Sequence, residues 1–303
     1  MTLDPLGRYS DAATRSAAVV ISSYSTSFGM ACRLLGGDAR RDVENIYALV
    51  RIADEVVDGA AAAAGLDPEG VAAQLDELER ETESAMRCGY STNLAVHAFA
   101  ATARARGIGT DLTRPFFSSM RADLTLTRHS DASLGEYIHG SAEVVGLMCL
   151  RVFQSMPGAV RGHDAELEDA AVHLGAAFQK VNFLRDLAAD GGELGRSYFP
   201  GTSAEELDDA RKAVLVADIR ADLRAAEAGL PLLAPGARRA VALAHGLFQE
   251  LVDRLDRSPA ERLRTERIRV PAAAKAAVAV RVLALKPALG GARGSARGTV
   301  AAS

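Results

Sequence analysis

The chain has 303 residues, of which 49% are hydrophobic, 24% charged and 5% aromatic, and its formal net charge is −4. A nucleic-acid partner would require a clear excess of basic residues, so this charge argues against one. The three cysteines form no C-x-x-C motif, which argues against a zinc site or a disulfide framework. A cytoplasmic protein is expected, because no basic, apolar leader and no uncharged apolar run of about 18 residues is present.

Helical periodicity recurs along the chain, and Gly or Pro separates successive segments. We predict helices over residues 11–25, 37–60, 68–89, 93–106, 112–125, 134–153, 165–189, 204–208, 211–228, 235–257 and 271–285. No alternating run of strand length and no internal repeat is visible. The sequence therefore predicts one all-α domain over residues 1–285. The Gly-, Ala- and Arg-rich tail over 286–303 is expected to be disordered.

The predicted helix over 37–60 carries two aspartates, Asp54 and Asp58, spaced D-x-x-x-D. This spacing places both carboxylates on one helix face, which Tyr47 and Arg51 share. Such a face is costly to bury unless its charges are paired or bind a cation. Taken alone, a solvent-exposed face with an Arg–Asp ion pair explains the pattern equally well.

The predicted helix over 165–189 introduces a second acidic face, formed by Gln179, Asn182, Asp186 and, just beyond it, Asp190. Arg185 lies beside this face, and a guanidinium can bind phosphate oxygens through two parallel hydrogen bonds. Apolar residues occupy the other faces, so the polar side is expected to border an enclosed cavity. Two such faces predict a site that holds Mg²⁺ and bridges it to substrate phosphates.

Four blocks of sequence are distinctive. They are YSTSF at 24–28, residues 47–58, YIHGSAEVVGLM at 137–148, and residues 179–200, which end in GRSYFP. Together they resemble the squalene/phytoene synthase family of head-to-head prenyl transferases, in the family's order and over roughly residues 10–285. A weaker similarity continues through RIRVP at 267–271. The residues of the fourth block are most similar to those of bacterial phytoene synthases.

The resemblance implies a single-domain class I isoprenoid synthase helical bundle with a central apolar cavity. It implies that two geranylgeranyl diphosphates are joined through a cyclopropyl diphosphate to phytoene, in carotenoid biosynthesis, with release of pyrophosphate. Mg²⁺ is the implied cofactor, Mn²⁺ could substitute for it, and NADPH is not expected. The basic, apolar helix over 271–285 could touch the inner face of the membrane, although an ordinary packing helix explains it equally well.

Carried over residue by residue, the resemblance also assigns roles. The implied metal ligands are Asp54, Asp58, Asn182, Asp186 and Asp190. Substrate contacts are implied for Ser25, Ser27, Phe28, Tyr47, Arg51, Val145, Gly146, Leu147, Gln179, Asn182 and Arg185, and the apolar members line the prenyl tunnel. Catalytic roles are implied for Asp54, Asp58, Asp186, Asp190, Tyr137 and Tyr198, with both tyrosines near the reacting carbons.

Three alternatives stay open: farnesyl diphosphate as substrate with a squalene or dehydrosqualene product, a terpene cyclase variant, and a non-catalytic assembly protein. Cys32 is small and lies one helical turn beyond Phe28, which favours a C20 tail. His139 and Phe248 stand where the family usually has an aromatic residue and a tyrosine. The product, its double-bond geometry, the proton acceptor and the oligomeric state are therefore left open.

Overall fold

The computed structural model describes residues 4–192, 197–202 and 206–284, without the side chains of residues 188–192. The helices are Pro5–Tyr24 (α1), Ser27–Cys32 (α2), Gly37–Val57 (α3), Ala60–Ala63 (α4), Pro68–Cys88 (α5), Leu94–Arg106 (α6), Thr110–Thr125 (α7), Asp131–Ile138 (α8), Val144–Gln154 (α9), Asp164–Gly192 (α10), Asp209–Glu227 (α11), Pro235–Arg257 (α12), Ala260–Leu263 (α13) and Ala272–Ala284 (α14). These ranges contain no β-strand, only an isolated bridge between Arg128 and Ser197. The all-α prediction is confirmed.

Helix α5 illustrates how local sequence sets the helix ends. The side chain of Asp67 accepts a hydrogen bond from the Gly70 N–H at 2.8 Å, and Pro68 occupies the first helical position. At the other end, Gly89 has a φ of 83°, a left-handed conformation that favours glycine. These end signals can be read from the sequence, and the predicted helix over 68–89 agrees closely with α5.

Four short segments depart from the prediction. The helix predicted over 204–208 is wrong in its described part, because residues 206–208 are not helical. Asp208 instead precedes α11 in an extended conformation, and its side chain accepts a hydrogen bond from the Arg211 N–H at 2.7 Å. The short helices α2, α4 and α13 occupy segments where no separate helix is predicted.

The predicted helix over 134–153 is one helical run from α8 to α9, but its middle, His139–Glu143, is a π-helix. A Cβ on Gly140 would lie only 2.1 Å from the Pro115 carbonyl oxygen of α7. Glycine therefore allows the widened turn to pack directly against α7. The Ser119 hydroxyl of α7 donates a hydrogen bond to the Tyr137 carbonyl oxygen at 3.0 Å, which fixes the end of α8 beside the cavity.

A cavity of about 1040 Å³ lies between two apolar clusters of the bundle. One cluster is built largely from α3, α5, α6, α7 and α9, and the other from α10, α11 and α12. The volume is at the upper end of the roughly 300–1,000 Å³ typical of ligand pockets. Apolar residues of both clusters, such as Ile46 and Leu251, line it, so the predicted central cavity is present.

Helix α14 forms where the sequence predicts a helix over 271–285, and it exposes Val280 and Leu283. Its contact with a membrane surface stays a prediction. None of the helices within the described ranges combines the length and apolar character that a membrane span requires. The predicted tail over 286–303 lies outside the described residues.

Candidate active site

The first wall of the cavity mouth is the end of α3. Tyr47, Arg51, Asp54 and Asp58 all line the cavity, as their spacing predicts. Asp58 is the residue just after the last turn, and its N–H donates to the Asp54 carbonyl oxygen at 2.8 Å. Gly59 follows with a φ of 120°, so the chain leaves the helix directly after the second aspartate.

The electrostatic environment of Asp54 on this α3 wall disfavours its ionised form. Burial and, next, the charge of Asp58 raise the pKa of Asp54 from its ordinary value of 3.8 to about 8, although Arg51 lowers it. The Arg51 Nη1–Asp54 Oδ2 distance is 3.8 Å, and the same guanidinium is hydrogen-bonded to Glu55. A cation bound here would relieve the repulsion between the carboxylates.

Arg51 itself has capacity to bind an anion. Its guanidinium carbon lies 4.4 Å from the centre of the Tyr24 ring. Its buried Nε–H has no hydrogen-bond partner in the described part of the chain. A buried donor without a partner is costly, and a phosphate oxygen in the cavity would satisfy it.

The second wall belongs to α10, where Gln179, Asn182, Arg185 and Asp186 line the cavity. Arg185 Nε donates to Asp186 Oδ1 at 2.8 Å, and Arg267 Nε lies 2.6 Å from the same oxygen. This α10 wall therefore holds its carboxylate between two guanidinium groups. The side chain of Asp190 lies outside the described residues, so its predicted role stays untested.

The segment between α1 and α2 closes one side of the mouth. Ser25, Ser27 and Phe28 line the cavity, and the Ser25 hydroxyl accepts a hydrogen bond from the Phe28 N–H at 3.2 Å. The Phe28 ring stacks on Tyr47 with centroids 5.7 Å apart. Lys275, at the start of α14, donates to the Thr26 hydroxyl at 3.0 Å and adds a cation to the rim.

Asp123 of α7 is a cavity residue that the sequence does not single out. The Tyr137 hydroxyl donates to Asp123 Oδ2 at 2.7 Å, and the Tyr198 hydroxyl lies 3.4 Å from Asp123 Oδ1. Burial and the Asp123 charge raise the pKa of Tyr137, so its hydroxyl keeps its proton. The Tyr198 ring also stacks on Phe183 with centroids 4.0 Å apart. One carboxylate thus orients two tyrosines predicted to lie near the reacting carbons.

One cavity brings together nearly all of the predicted site residues. Its lining includes Ser25, Ser27, Phe28, Tyr47, Arg51, Asp54, Asp58, Tyr137, Val145, Gly146, Gln179, Asn182, Arg185, Asp186 and Tyr198. The cavity lining also includes Asp123, Arg267 and Lys275, which lie on other segments and are not among the predicted site residues. Only the weak RIRVP similarity signalled one of them, Arg267.

The sequence profile of the squalene/phytoene synthase family matches residues 21–274. The chain belongs to this family. A 15-cis-phytoene synthase of Enterobacter agglomerans is 31% identical over 247 residues, which cover 75% of this chain and 80% of that protein. A 15-cis-phytoene synthase of a Paracoccus species is 35% identical over 188 residues, which cover 60% of this chain and 58% of that relative.

A solved structure supports the same family fold. A dehydrosqualene synthase in complex with a ligand superimposes with a TM-score of 0.76 at 21% identity, over 92% of this chain and 98% of the other. At this identity the likeness establishes the shared helical fold alone. Membership of the squalene/phytoene synthase family makes this chain a prenyltransferase.

Leu147 is the one predicted tunnel residue whose side chain is described but does not line the cavity of this family member. Val145, Gly146 and Cys149 occupy the cavity side of α9, whereas Leu147 packs against the first apolar cluster. The physical reason is the helical step, since each residue advances about 100° around the axis. In this structure Leu147 packs in the core, and its contact with the substrate stays a prediction.

The two departures from the family pattern have different consequences. His139 is exposed, its Nδ1 lies 2.9 Å from Glu143 Oε2, and it is absent from the cavity lining. Phe248 does line the cavity, where its ring stacks on Phe178 with centroids 3.7 Å apart. The wall at this level is consequently apolar and aromatic.

No group of three or more His, Cys, Asp and Glu residues within the described ranges is arranged to hold a metal ion. The aspartates of the two walls nevertheless offer carboxylate oxygens, and Asn182 offers an amide oxygen. Oxygens of both kinds are the donors that Mg²⁺ prefers. Burial and then the Asp58 charge raise the pKa of Asp54, and a bound cation would favour its ionised form. The donor set thus fits a divalent cation.

Proposed function

We propose that this prenyltransferase joins two geranylgeranyl diphosphates head to head, through a cyclopropyl diphosphate, to phytoene. The observation that carries the proposal is a cavity of about 1040 Å³ with an apolar interior and two acidic walls at its mouth. Relatives named 15-cis-phytoene synthase, at 31% and 35% identity, support the product. The reaction needs no NADPH, since phytoene forms by proton loss without reduction.

The implied cofactor is Mg²⁺, with Mn²⁺ as a substitute. The residues that would hold it are Asp54, Asp58, Asn182, Asp186 and Asp190. When bound, the ion supplies positive charge that stabilises the diphosphate as a leaving group. The α10 wall would have to exchange guanidinium contacts for the ion, because Arg185 and Arg267 bond Asp186 in this structure.

The basic side chains of the mouth bind and orient the diphosphates. Arg51 presents a buried N–H without a partner, and Arg185, Arg267 and Lys275 line the same opening. As the C–O bond of the first allylic diphosphate breaks, negative charge accumulates on the leaving oxygens. Fixed cations that face this charge stabilise the transition state more than the ground state.

The interior protects the allylic cation that ionisation leaves. Apolar walls exclude water, which would otherwise capture the cation. The rings of Tyr137, Tyr198 and Phe183 present polarisable faces that stabilise positive charge without forming a bond to it. Asp123 holds the two tyrosine hydroxyls in place. The protons that are lost go either to the departing pyrophosphate or to a tyrosine oxygen that passes its own proton to the Asp123 carboxylate.

The deciding experiment is incubation of the purified chain with geranylgeranyl diphosphate and Mg²⁺, followed by identification of the hydrocarbon by chromatography and mass spectrometry. Phytoene is the expected product, with loss of product on chelation of the metal. A parallel incubation with farnesyl diphosphate tests the alternative, squalene or dehydrosqualene. Absence of any hydrocarbon from either substrate, with the helical spectrum intact, would overturn the proposal.

A further inference from the structure

The end of the cavity opposite the two acidic walls, here called the cavity floor, has small side chains on several of its elements, although Leu230 and Leu233 also line it. Ala170 and Ala171 of α10, Gly229 after α11 and Ala240 of α12 line it, together with Leu167. Larger side chains, including Phe178 and Phe248, line the middle of the cavity. The cavity therefore continues past its aromatic middle to a floor where α10 presents only the methyl groups of Ala170 and Ala171 between Leu167 and Leu174.

Helix α10 runs along the cavity from mouth to floor and provides a scale for its depth. Lining residues recur from Asp186 to Leu167, about 28 Å at a rise of 1.5 Å per residue. One extended isoprene unit is about as long as one helical turn of 5.4 Å. A prenyl chain of four units thus covers about four turns, or roughly 14 residues, and one of three units roughly 11.

This scale places the tail ends at different residues. Counted from the polar end of the cavity, between Asp186 and Asn182, a C20 tail ends at about residues 168–172. A C15 tail counted in the same way ends at about residues 171–175. The additional isoprene unit therefore lies next to Ala170 and Ala171, and nearer the mouth the two chains contact the same wall.

The backbone around these alanines cannot move aside. A Cβ on Gly229 would lie 2.6 Å from the Ala170 Cβ, and a Cβ on Gly146 would lie 2.8 Å from the Ala171 carbonyl oxygen. Helices α9 and α11 are thus already in close contact with α10 on both sides. Ala170 is buried by its contact, whereas Ala171 keeps part of its surface exposed to the cavity. A larger side chain at Ala171 must therefore project into the cavity.

Cys32, which the sequence favours as the depth determinant, contributes less. It lines the cavity but is only 2% exposed, so its side chain offers the ligand almost no surface. We propose that Ala171 sets the length of the prenyl chain, because its small side chain leaves room for the fourth isoprene unit. This inference rests on the proposed function, and it assigns Ala171 a contact with the hydrocarbon tail, away from the reacting carbons.

The test compares Ala171→Phe with a matched control, Val172→Phe, in the full-length chain. Val172 is in the same turn but is not part of the cavity lining. The readouts are kcat/KM for the C20 and C15 diphosphates, the hydrocarbon formed, and the Kd of unreactive thiolodiphosphate analogues of both lengths. Ala171→Phe is expected to lower the C20-to-C15 ratio of kcat/KM and of affinity at least about tenfold. The control is expected to keep the wild-type ratios.

An unchanged C20-to-C15 ratio in Ala171→Phe, or an equal loss with both lengths, would overturn the inference. Leu167→Ala tests the inference in the opposite direction, and it does so even if Ala171→Phe fails to fold. Shortening this floor residue should lower the Kd of a C25 thiolodiphosphate analogue at least about tenfold. No gain in that variant would also count against it. Failure of the proposed function can be distinguished from failure of this inference. If the wild type forms no hydrocarbon, the Kd values of the unreactive analogues still show which chain length the cavity accommodates.

Discussion

The two acidic walls have the same D-x-x-x-D spacing but opposite electrostatic states. On the α3 wall, Asp54 is 3.8 Å from its nearest arginine contact, and its pKa is raised to about 8 by burial and then by Asp58. On the α10 wall, Asp186 has ionic contacts with two guanidinium groups, those of Arg185 and Arg267. On the first wall, Arg51 is shared between Asp54 and Glu55, whereas on the second wall two guanidinium groups bind one carboxylate.

The difference arises from tertiary neighbours. Asp123 of α7 adds a further negative charge to the α3 wall and raises the pKa of Asp54. Arg267, 81 residues further along the chain than Asp186, supplies the α10 wall with a cation. A cation entering the mouth therefore gains more from the α3 wall, whereas a diphosphate gains more from the α10 wall and its arginines. Under the proposed function, the α3 wall would therefore contribute more to metal binding and the α10 wall more to diphosphate binding.

The largest expected effect follows from neutralising either wall. Asp54→Asn and Asp186→Asn should each lower kcat at least about 10²-fold, because each removes a charge that holds the metal–diphosphate pair. The comparison predicts different accompanying changes: a weaker apparent Mg²⁺ affinity for Asp54→Asn, and a higher KM for the diphosphate for Asp186→Asn. Steady-state kinetics at varied metal and substrate concentrations measure both.

A matched control is available on the same helix. Asp38 has the D-x-x-x-D spacing with Asp42, but its side chain is 76% exposed and pairs with Arg41. Asp38→Asn should retain wild-type kinetics. Near-normal turnover in Asp54→Asn would contradict the role assigned to the α3 wall.

The next effect concerns Asp123, which connects the α3 wall to the tyrosines. Asp123→Asn should lower kcat about 10- to 100-fold with little change in KM, because a hydrogen bond to a buried charged group is worth about 1.5–3 kcal/mol. Tyr137→Phe should have a larger effect than Tyr198→Phe, since the hydroxyl–carboxylate distances are 2.7 and 3.4 Å. Kinetics and the ratio of cyclopropyl intermediate to final hydrocarbon provide the measurement.

Tyr9→Phe serves as the control for removal of a tyrosine hydroxyl. That hydroxyl donates to the Ser91 carbonyl oxygen at 2.9 Å and lies outside the cavity. The variant should alter thermal stability without changing the product ratio. If Asp123→Asn changes only the stability, Asp123 has no part in positioning the reactive tyrosines.

The residues that could be predicted from sequence are those whose signal is local. The i, i+4 spacing places Asp54 and Asp58 on one face, and an Asp-Pro start and a glycine end define α5. Asp123 gives no such signal, because it is a single carboxylate on α7 whose tyrosine partners are 14 and 75 residues away. The π-helical turn was equally unpredictable, since it depends on the packing of Gly140 against the Pro115 carbonyl.

A smaller effect is expected from Arg267, the distant member of the α10 wall. Arg267→Gln should raise KM for the diphosphate about threefold to tenfold and change kcat less, since the side chain is 51% exposed and binds at the rim. Arg262→Gln is the matched control, because that exposed arginine pairs with Glu266 and lies outside the cavity lining. An unchanged KM in Arg267→Gln would mean that Arg267 pairs with Asp186 but does not bind the diphosphate.

The smallest effect is on stability, and its sign distinguishes the walls. Because the folded-state pKa of Asp54 is raised from 3.8 to about 8, the folded chain holds this proton more tightly than the unfolded chain does. The stability contributed by this group is therefore present below about pH 4 and is lost as the pH rises towards 8. Asp54→Asn removes this dependence, so without divalent cations its Tm should exceed that of the wild type by a few degrees at pH 9 and by less at pH 5.

Asp186→Asn should lower Tm instead, because two guanidinium groups lose their carboxylate. Thermal unfolding followed by circular dichroism at both pH values measures the difference, and a Tm change of the same sign in both variants would mean that the two walls are electrostatically alike.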